Sequence, residues 1–201
     1  MFIGDHYWLA DDSRLWGSKS QTHITASDPD YVAWQAAYNL DPTRWPEDEA
    51  GAQTDAALQA IVGPLGMFVT LTDYSAAARL RVVEAGIKIL SITPKVFNAD
   101  MLSRTQANNA KQLMIADPLI TALPWRMKDG SYVEVTAADV DLIFLSMGGF
   151  AEECFTTEEE TAAAIVGGTI TTRAEIDAAY AAIPQERDGV SERLRARKPK
   201  R

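Results

Sequence analysis

Adjacent carboxylates are the residues of this chain whose type suits hydrolytic chemistry: Asp11-Asp12, Glu152-Glu153 and the run Glu158-Glu159-Glu160. An acid and a base flanking a glycosidic bond can hydrolyse it, provided both carboxyls face one substrate. Neighbouring residues on a helix or turn diverge, so none of these pairs meets that condition by itself. Solvated faces and turn caps account for them more simply. A serine nucleophile needs a histidine base, and the chain has only His6 and His23, both in its N-terminal segment. Neither has a second ligand at metal-binding spacing. No Gly-x-Ser-x-Gly elbow, P-loop or dinucleotide-binding glycine pattern is present. The single cysteine, Cys154, falls on the apolar rhythm of an expected helix, which points to a buried, inert thiol with no partner for an internal disulfide. No catalytic residue, cofactor or metal site follows from these residues.

Residues suited to binding are more prominent. Of five tryptophans, Trp8, Trp16, Trp34 and Trp45 fall in the first 45 residues. They either anchor in a partner's pockets or form the core of a small unit that has few other large apolar residues. Charge is uneven as well. Residues 187–201 carry 7 basic against 2 acidic residues, a net of +5, which leaves 12 basic against 26 acidic before them, a net of −14. Arg193, Arg195, Arg197 and Lys198 are the candidate contacts of this tail, which either holds an acidic partner or is simply solvated. An acidic body does not wrap nucleic acid, because phosphate contacts need Lys and Arg on its surface. No apolar run approaches the roughly 20 residues that span a bilayer. The opening MFIGDHYW has no basic region followed by an apolar core, so no signal peptide is expected and a cytoplasmic origin fits.

The elements that must position these residues begin with a β-hairpin, Tyr7–Ala10 and Arg14–Gly17, around the turn residues Asp11-Asp12-Ser13. Ser27-Asp28-Pro29 opens a short helix over about 29–39, with Tyr31, Trp34, Ala37 and Tyr38 at helical spacing. Residues 40–51 read as loop. A helix is expected from Thr54 to Val62, ending at Gly63-Pro64, then a strand at Met67–Leu71. A further helix is capped by Asp73, carries Ala77, Leu80 and Val83, and stops at Gly86. Ile87–Ile92 reads as a strand ended by Pro94.

Asn98–Ala116 is helical in composition but polar at its centre. Either one thin face packs on a core or the helix is exposed for a partner. Residues 125–135 then form a hairpin around Asp129-Gly130, a strong turn signal between apolar-alternating arms. Thr136 with Asp139 resembles a capping box and starts a helix with Val140, Ile143, Phe144, Met147, Ala151 and Cys154 on one stripe. Each of Gly148 and Gly149 costs such a helix about 0.5–1 kcal/mol relative to alanine, so the pair marks a kink or a close approach. Gly167-Gly168 ends it. Thr172-x-x-Glu175 caps a last helix with Ile176, Ala179, Tyr180 and Ile183 on one face, stopped by Pro184. The expectation is a mostly helical α+β fold: an aromatic-rich hairpin and helix unit at 1–45, a connecting region at 46–97, a domain at 98–186 with its hairpin on an antiparallel helix pair, and a basic tail at 187–201.

From about Ala99 to Ile183 the chain resembles a domain-of-unknown-function family found in tail and tail-fibre-associated proteins of tailed bacteriophages and prophages. The likeness is carried by the hairpin Trp125–Val135, by VTAAD at Val135–Asp139 and by GTITTRAEIDAAYAAI at Gly168–Ile183. The N-terminal Tyr-Trp strand, Arg14-Leu15-Trp16 and DPDYVAWQAAYNLDPTR are similar to the opening of small phage tail proteins, and about 46–97 has no counterpart. The resemblance implies a non-enzymatic structural or adaptor role in a virion tail, near the baseplate or fibres. Its partners would be other tail proteins within a larger oligomeric assembly, with no nucleic acid and no membrane insertion. Two other readings are a tail-fibre assembly chaperone and a small glycan-cleaving tail enzyme, whose candidates would be Asp11, Asp12, Glu152 and Glu153.

Overall fold

The computed structural model describes residues 5–188, which divide into two compact units, the first ending at Tyr74 and the second beginning at Ser75. The region 46–97, read from sequence as connecting chain, is shared between them.

In the first unit the Asp11-Asp12-Ser13 turn closes the expected hairpin of β1 (Tyr7–Leu9) and β2 (Leu15–Gly17), with Ser13 at φ 73°. Two strands not foreseen complete the sheet: β3 (Thr22–Ile24), antiparallel to β2, and β4 (Thr43–Arg44), parallel to β1. Three and two residues are too few for an alternating pattern, so only pairing reveals them. Helix α1 (Pro29–Tyr38) starts where Asp28 accepts from the backbone N–H groups of Asp30 and Tyr31, and α2 (Asp55–Val62) starts on Thr54. Alternation along β1 and β2 sends Tyr7 and Leu15 to one face of the sheet, where Tyr31 and Trp34 of α1 cover them. Trp8 and Trp16 go to the other face, against Trp45, Leu58 and Val62. Met67–Leu71 is not a strand. The side chain of Gln59 donates to the Met67 carbonyl (3.1 Å) and accepts from the Val69 N–H (2.7 Å), taking the place of a strand partner.

The second unit contains most of α3 (Leu71–Ala85), then β5 (Ile87–Ile89), β6 (Thr93–Phe97), α4 (Met101–Ala116), β7 (Ala122–Arg126), β8 (Tyr132–Thr136), α5 (Ala137–Val166) and α6 (Arg173–Ala181). Thr70, not Asp73, caps α3: its hydroxyl accepts from the Asp73 N–H (3.1 Å), and the Asp73 carboxylate accepts from the Thr70 hydroxyl (2.6 Å). The buried residues of α3 are Ser75 and Ala78, with the Ser75 hydroxyl 3.2 Å from the Tyr180 hydroxyl of α6, while Leu80 is exposed. Pro94 does not end a strand. It sits in β6 beside the irregularity between Lys88 and Ile89, a position that asks no N–H of it.

The β7–β8 hairpin closes through Gly130 at φ 82° and leads straight into α5, whose Thr136–Asp139 capping box forms as expected. Helix α5 runs for 30 residues without a break at Gly148-Gly149, because Gly149 lies in the buried stripe and Gly148 faces open space. The hairpin and α6 both pack on α5, giving an α+β fold. The turn at residues 128–131 has a structural task. Lys128 donates to the carbonyls of Glu84 and Ala85 at the end of α3, and Lys95 donates to the Ser131 hydroxyl (2.7 Å).

Gly86 ends α3 at φ +83°, and a Cβ there would lie 2.3 Å from the Phe97 carbonyl oxygen. Gly130 has a similar φ of +82° with nothing within 4 Å. Gly130→Ala is expected to cost about 1 kcal/mol from backbone strain alone, and Gly86→Ala clearly more, at least about 2–3 kcal/mol. Urea denaturation of the two variants measures the difference.

Candidate interaction surface

The structure buries all four candidate tryptophans: Trp8, Trp16, Trp34 and Trp45 are core, not anchors for a partner. The physical reason is the shortness of the strands. Each offers one or two side chains to each face, and only large rings fill the layers from so few positions. Trp45 is further fixed by donating its indole N–H to the Thr54 carbonyl (2.8 Å), with the Arg14 guanidinium 4.9 Å over its ring and His23 stacked at 5.6 Å.

The candidate carboxylates are engaged separately. Asp11 pairs with Arg44 (2.9 Å) and Asp12 with Arg14 (2.8 Å). Hydrogen bonds from Arg44 and from the Arg14 backbone hold their carboxyls below the usual range, the opposite of what a general acid requires. Arg14 also reaches Asp55 (2.8 Å), which lies 3.3 Å from His23. Glu158 pairs with Arg79 at 3.1 Å. Glu152 is exposed and Glu153 buried, so adjacent residues point to opposite environments.

Glu153 was not foreseen as a core residue, nor was Arg187, which stands at the start of the expected basic tail. Their side chains are only 2% and 3% exposed and form an ion pair. The Arg187 Nε donates to the Pro184 carbonyl (2.8 Å), and its guanidinium lies 5.0 Å over the Phe150 ring. Beside them Cys154 is buried, and burial pushes its thiol up to about 11. Its expected inertness thus has a physical cause. The tail candidates Arg193, Arg195, Arg197 and Lys198 lie outside the described residues.

Helix α4 supplies the exposed surface. One thin face, Ser103, Ala107 and Met114, packs inward. Met101, Leu102, Ile115 and, just beyond the helix, Leu119 are between 64% and 89% exposed. The outward positions form two rows, Met101, Thr105, Asn108, Gln112, Ile115 and Leu102, Gln106, Asn109, Leu113, Ala116, each stepping by alternating fours and threes. None is charged. The two charges of α4 sit on its inner flank: Arg104 has a buried Nε, and Lys111 pairs with Asp141 of α5 (2.7 Å) while lying 5.1 Å over the Phe144 ring. Sequence reading found the polar centre of this helix. It did not show that apolar residues close both ends of the exposed face.

Among the described residues no cluster of three or more His, Cys, Asp or Glu side chains is placed to hold a metal, and no helix is long and apolar enough to cross a membrane. Fold and surface define an α+β protein whose charges are largely tied up in structural contacts and whose helix α4 has an uncharged outer face. A domain of unknown function, DUF4376, matches residues 69–183, more than half of the chain, and the chain belongs to that family. The match extends the family region back over α3, β5 and β6, beyond the start at Ala99 suggested by resemblance. No curated protein and no solved structure matches the chain.

Glu153→Gln leaves a buried guanidinium uncompensated and is expected to lower stability by about 3–5 kcal/mol, whereas Glu152→Gln stays within about 0.5 kcal/mol. Replacing both partners with apolar residues, Glu153→Leu with Arg187→Met, should restore most of the loss. Denaturant midpoints check all three. Cys154 should resist a thiol reagent at pH 8 in the folded chain and react at once in denaturant. The raised pKa favours the folded state below the thiol's unfolded value, and that contribution is lost as pH rises toward 11.

Proposed function

We propose that this protein is a non-enzymatic adaptor of a bacteriophage tail, incorporated near the baseplate or the fibres and acting by protein–protein contact. The phage assignment rests on the order of the N-terminal aromatic segment, the hairpin and the two capped helices, which resembles that of tail-associated proteins. The observation that carries the mode of action is the outward face of α4. Apolar side chains lie at its two ends and uncharged polar ones between them, recurring at the alternating spacing that a second helix can follow. In a chain of net charge −9, a face without charge is the place where another protein meets no electrostatic penalty. The amides of Asn108, Asn109 and the two glutamines would set its register, because buried amides penalise mispaired arrangements.

The test uses purified particles from a phage or prophage that encodes the chain. The protein should be present in them by mass spectrometry, with cross-links from residues 101–119 to another tail protein. Leu102→Glu with Ile115→Glu should leave stability within about 1 kcal/mol, since both side chains are exposed, and reduce incorporation at least about tenfold. Absence from particles, together with a raised soluble yield of a co-expressed fibre protein, would replace the adaptor reading with the assembly-chaperone one.

A further inference from the structure

The first unit carries a cleft that an adaptor surface on α4 does not use. Asp5, His6, Trp34, Tyr38, Asp41 and Thr43 are among the residues around a space of about 360 Å³, within the range of small-ligand sites. The walls come from the chain entering β1, the end of α1 and the start of β4.

Its charge is one-sided. Asp5 and Asp41 bring two carboxylates, and neither has a hydrogen-bond or ion-pair partner among the described residues, unlike Asp11, Asp12 and Asp55 of the same unit. Among the described residues no lysine or arginine lines the space. His6 adds no positive charge at neutral pH, since burial lowers its proton affinity and its Nε2 sits 2.7 Å from the Thr43 hydroxyl. Helix α1 ends at the cleft with no basic residue in its last turn, so the negative end of its dipole is uncompensated there. The left-handed Asn39, at φ 50°, turns the chain so that both Tyr38 and Asp41 reach the rim.

The remaining wall is aromatic. Tyr38 is 65% exposed, with its ring 6.5 Å from that of Trp34 and tilted by 48°, and Tyr7 lies 4.9 Å from Trp34 on the other side. Aromatic faces carry the negative part of the ring quadrupole and attract cations, most effectively weakly hydrated ones. Anionic ligands would meet two carboxylates and a helix C-terminus, while the cation nearest in effect to Asp5, Lys19, is paired with Asp30 at 3.0 Å and does not line the space. A neutral ligand would leave that field unused.

We infer that this cleft binds an organic cation, an alkylammonium group held by the Asp5 and Asp41 carboxylates and the Trp34 and Tyr38 rings. The test titrates the nitrogen-15-labelled full chain with choline chloride, at matched ionic strength, and follows the tryptophan indole signals by NMR. A parallel titration uses dimethylbutanol, the alcohol in which carbon replaces the charged nitrogen. Choline should shift the Trp34 signal saturably in the millimolar range, and the neutral alcohol should bind at least about tenfold more weakly. Asp41→Asn should weaken choline about three- to tenfold without changing the alcohol, and Tyr38→Ala should weaken both. Both positions are exposed, and unchanged signals from the other four tryptophans verify the fold of each variant. Equal binding of the two probes, indifference of choline to Asp41→Asn, or no saturable shift up to roughly 50 mM would overturn the inference. Saturable binding of a neutral methyl glycoside in place of choline would do the same.

Discussion

Burying a guanidinium beside a carboxylate is costly unless further contacts offset it, and the second unit gives Arg187 two besides Glu153, the Pro184 carbonyl and the Phe150 ring. Arg187 comes from the stretch after α6, and Glu153 from the middle of α5. The chain reaches this position because residues 185–187 lie along β5 as a short parallel bridge: the Lys88 N–H donates to the Gln185 carbonyl and the Arg187 N–H to the Lys88 carbonyl, both at 2.8 Å. That bridge covers one edge of the β5–β6 hairpin, which would otherwise expose unpaired backbone groups. The Ser91 hydroxyl extends the attachment by donating to Asp188 at 2.6 Å. The segment that follows the matched region is therefore held by a buried charge as well as by its backbone bridge to β5.

This interaction also shows where sequence reading succeeds and where it stops. Thr136 with Asp139, Thr172 with Glu175 and Asp129-Gly130 all do in the structure what their spacing implies, because caps and turns are satisfied by atoms within four residues of one another. The pairing of Glu153 with Arg187 spans 34 residues and leaves no local trace. Half of it was nevertheless readable. Glu153 falls seven residues after Ser146, three after Phe150 and four before Thr157, all buried, so the helix period places it on the inward side. Arg187 offered no such signal, since its neighbours Asp188 and Glu186 make it look like the start of a charged tail. Leu80 misled in the opposite sense. Its apolarity suggested burial, yet the inward positions of α3 are Ser75 and Ala78.

The first unit repeats the lesson with aromatic residues. Tryptophan density was ambiguous in the sequence because a partner's pocket and a thin core recruit the same side chains. The alternation of Tyr7, Trp8 and Leu15, Trp16 across a four-stranded sheet decides between them, since each ring has a helix or a loop waiting on its own face. What had no sequence signal is the cleft at the end of α1. Its residues come from positions 5–7, 34–41 and 43, and only the parallel pairing of the two-residue strand β4 with β1 brings Thr43 beside His6.

The uncharged face of α4 follows from the way the helix is attached. Arg104 and Lys111 are seven residues apart, two turns of helix, and so share one flank. That flank lies beside the inward stripe of Ser103, Ala107 and Met114, where α5 offers Asp141 as an ion-pair partner and the Phe144 ring as a cation–π surface. Drawing both cations inward leaves the opposite rows to Met, Leu, Ile, Thr, Asn and Gln, with no side chain able to repel a partner of either sign. Had the same two charges been placed one or two residues along, in the outward rows, the helix would have traded its bond to α5 for an ordinary solvated surface. The contact that fixes α4 to the domain and the absence of charge on its outer face are thus one arrangement seen from two sides.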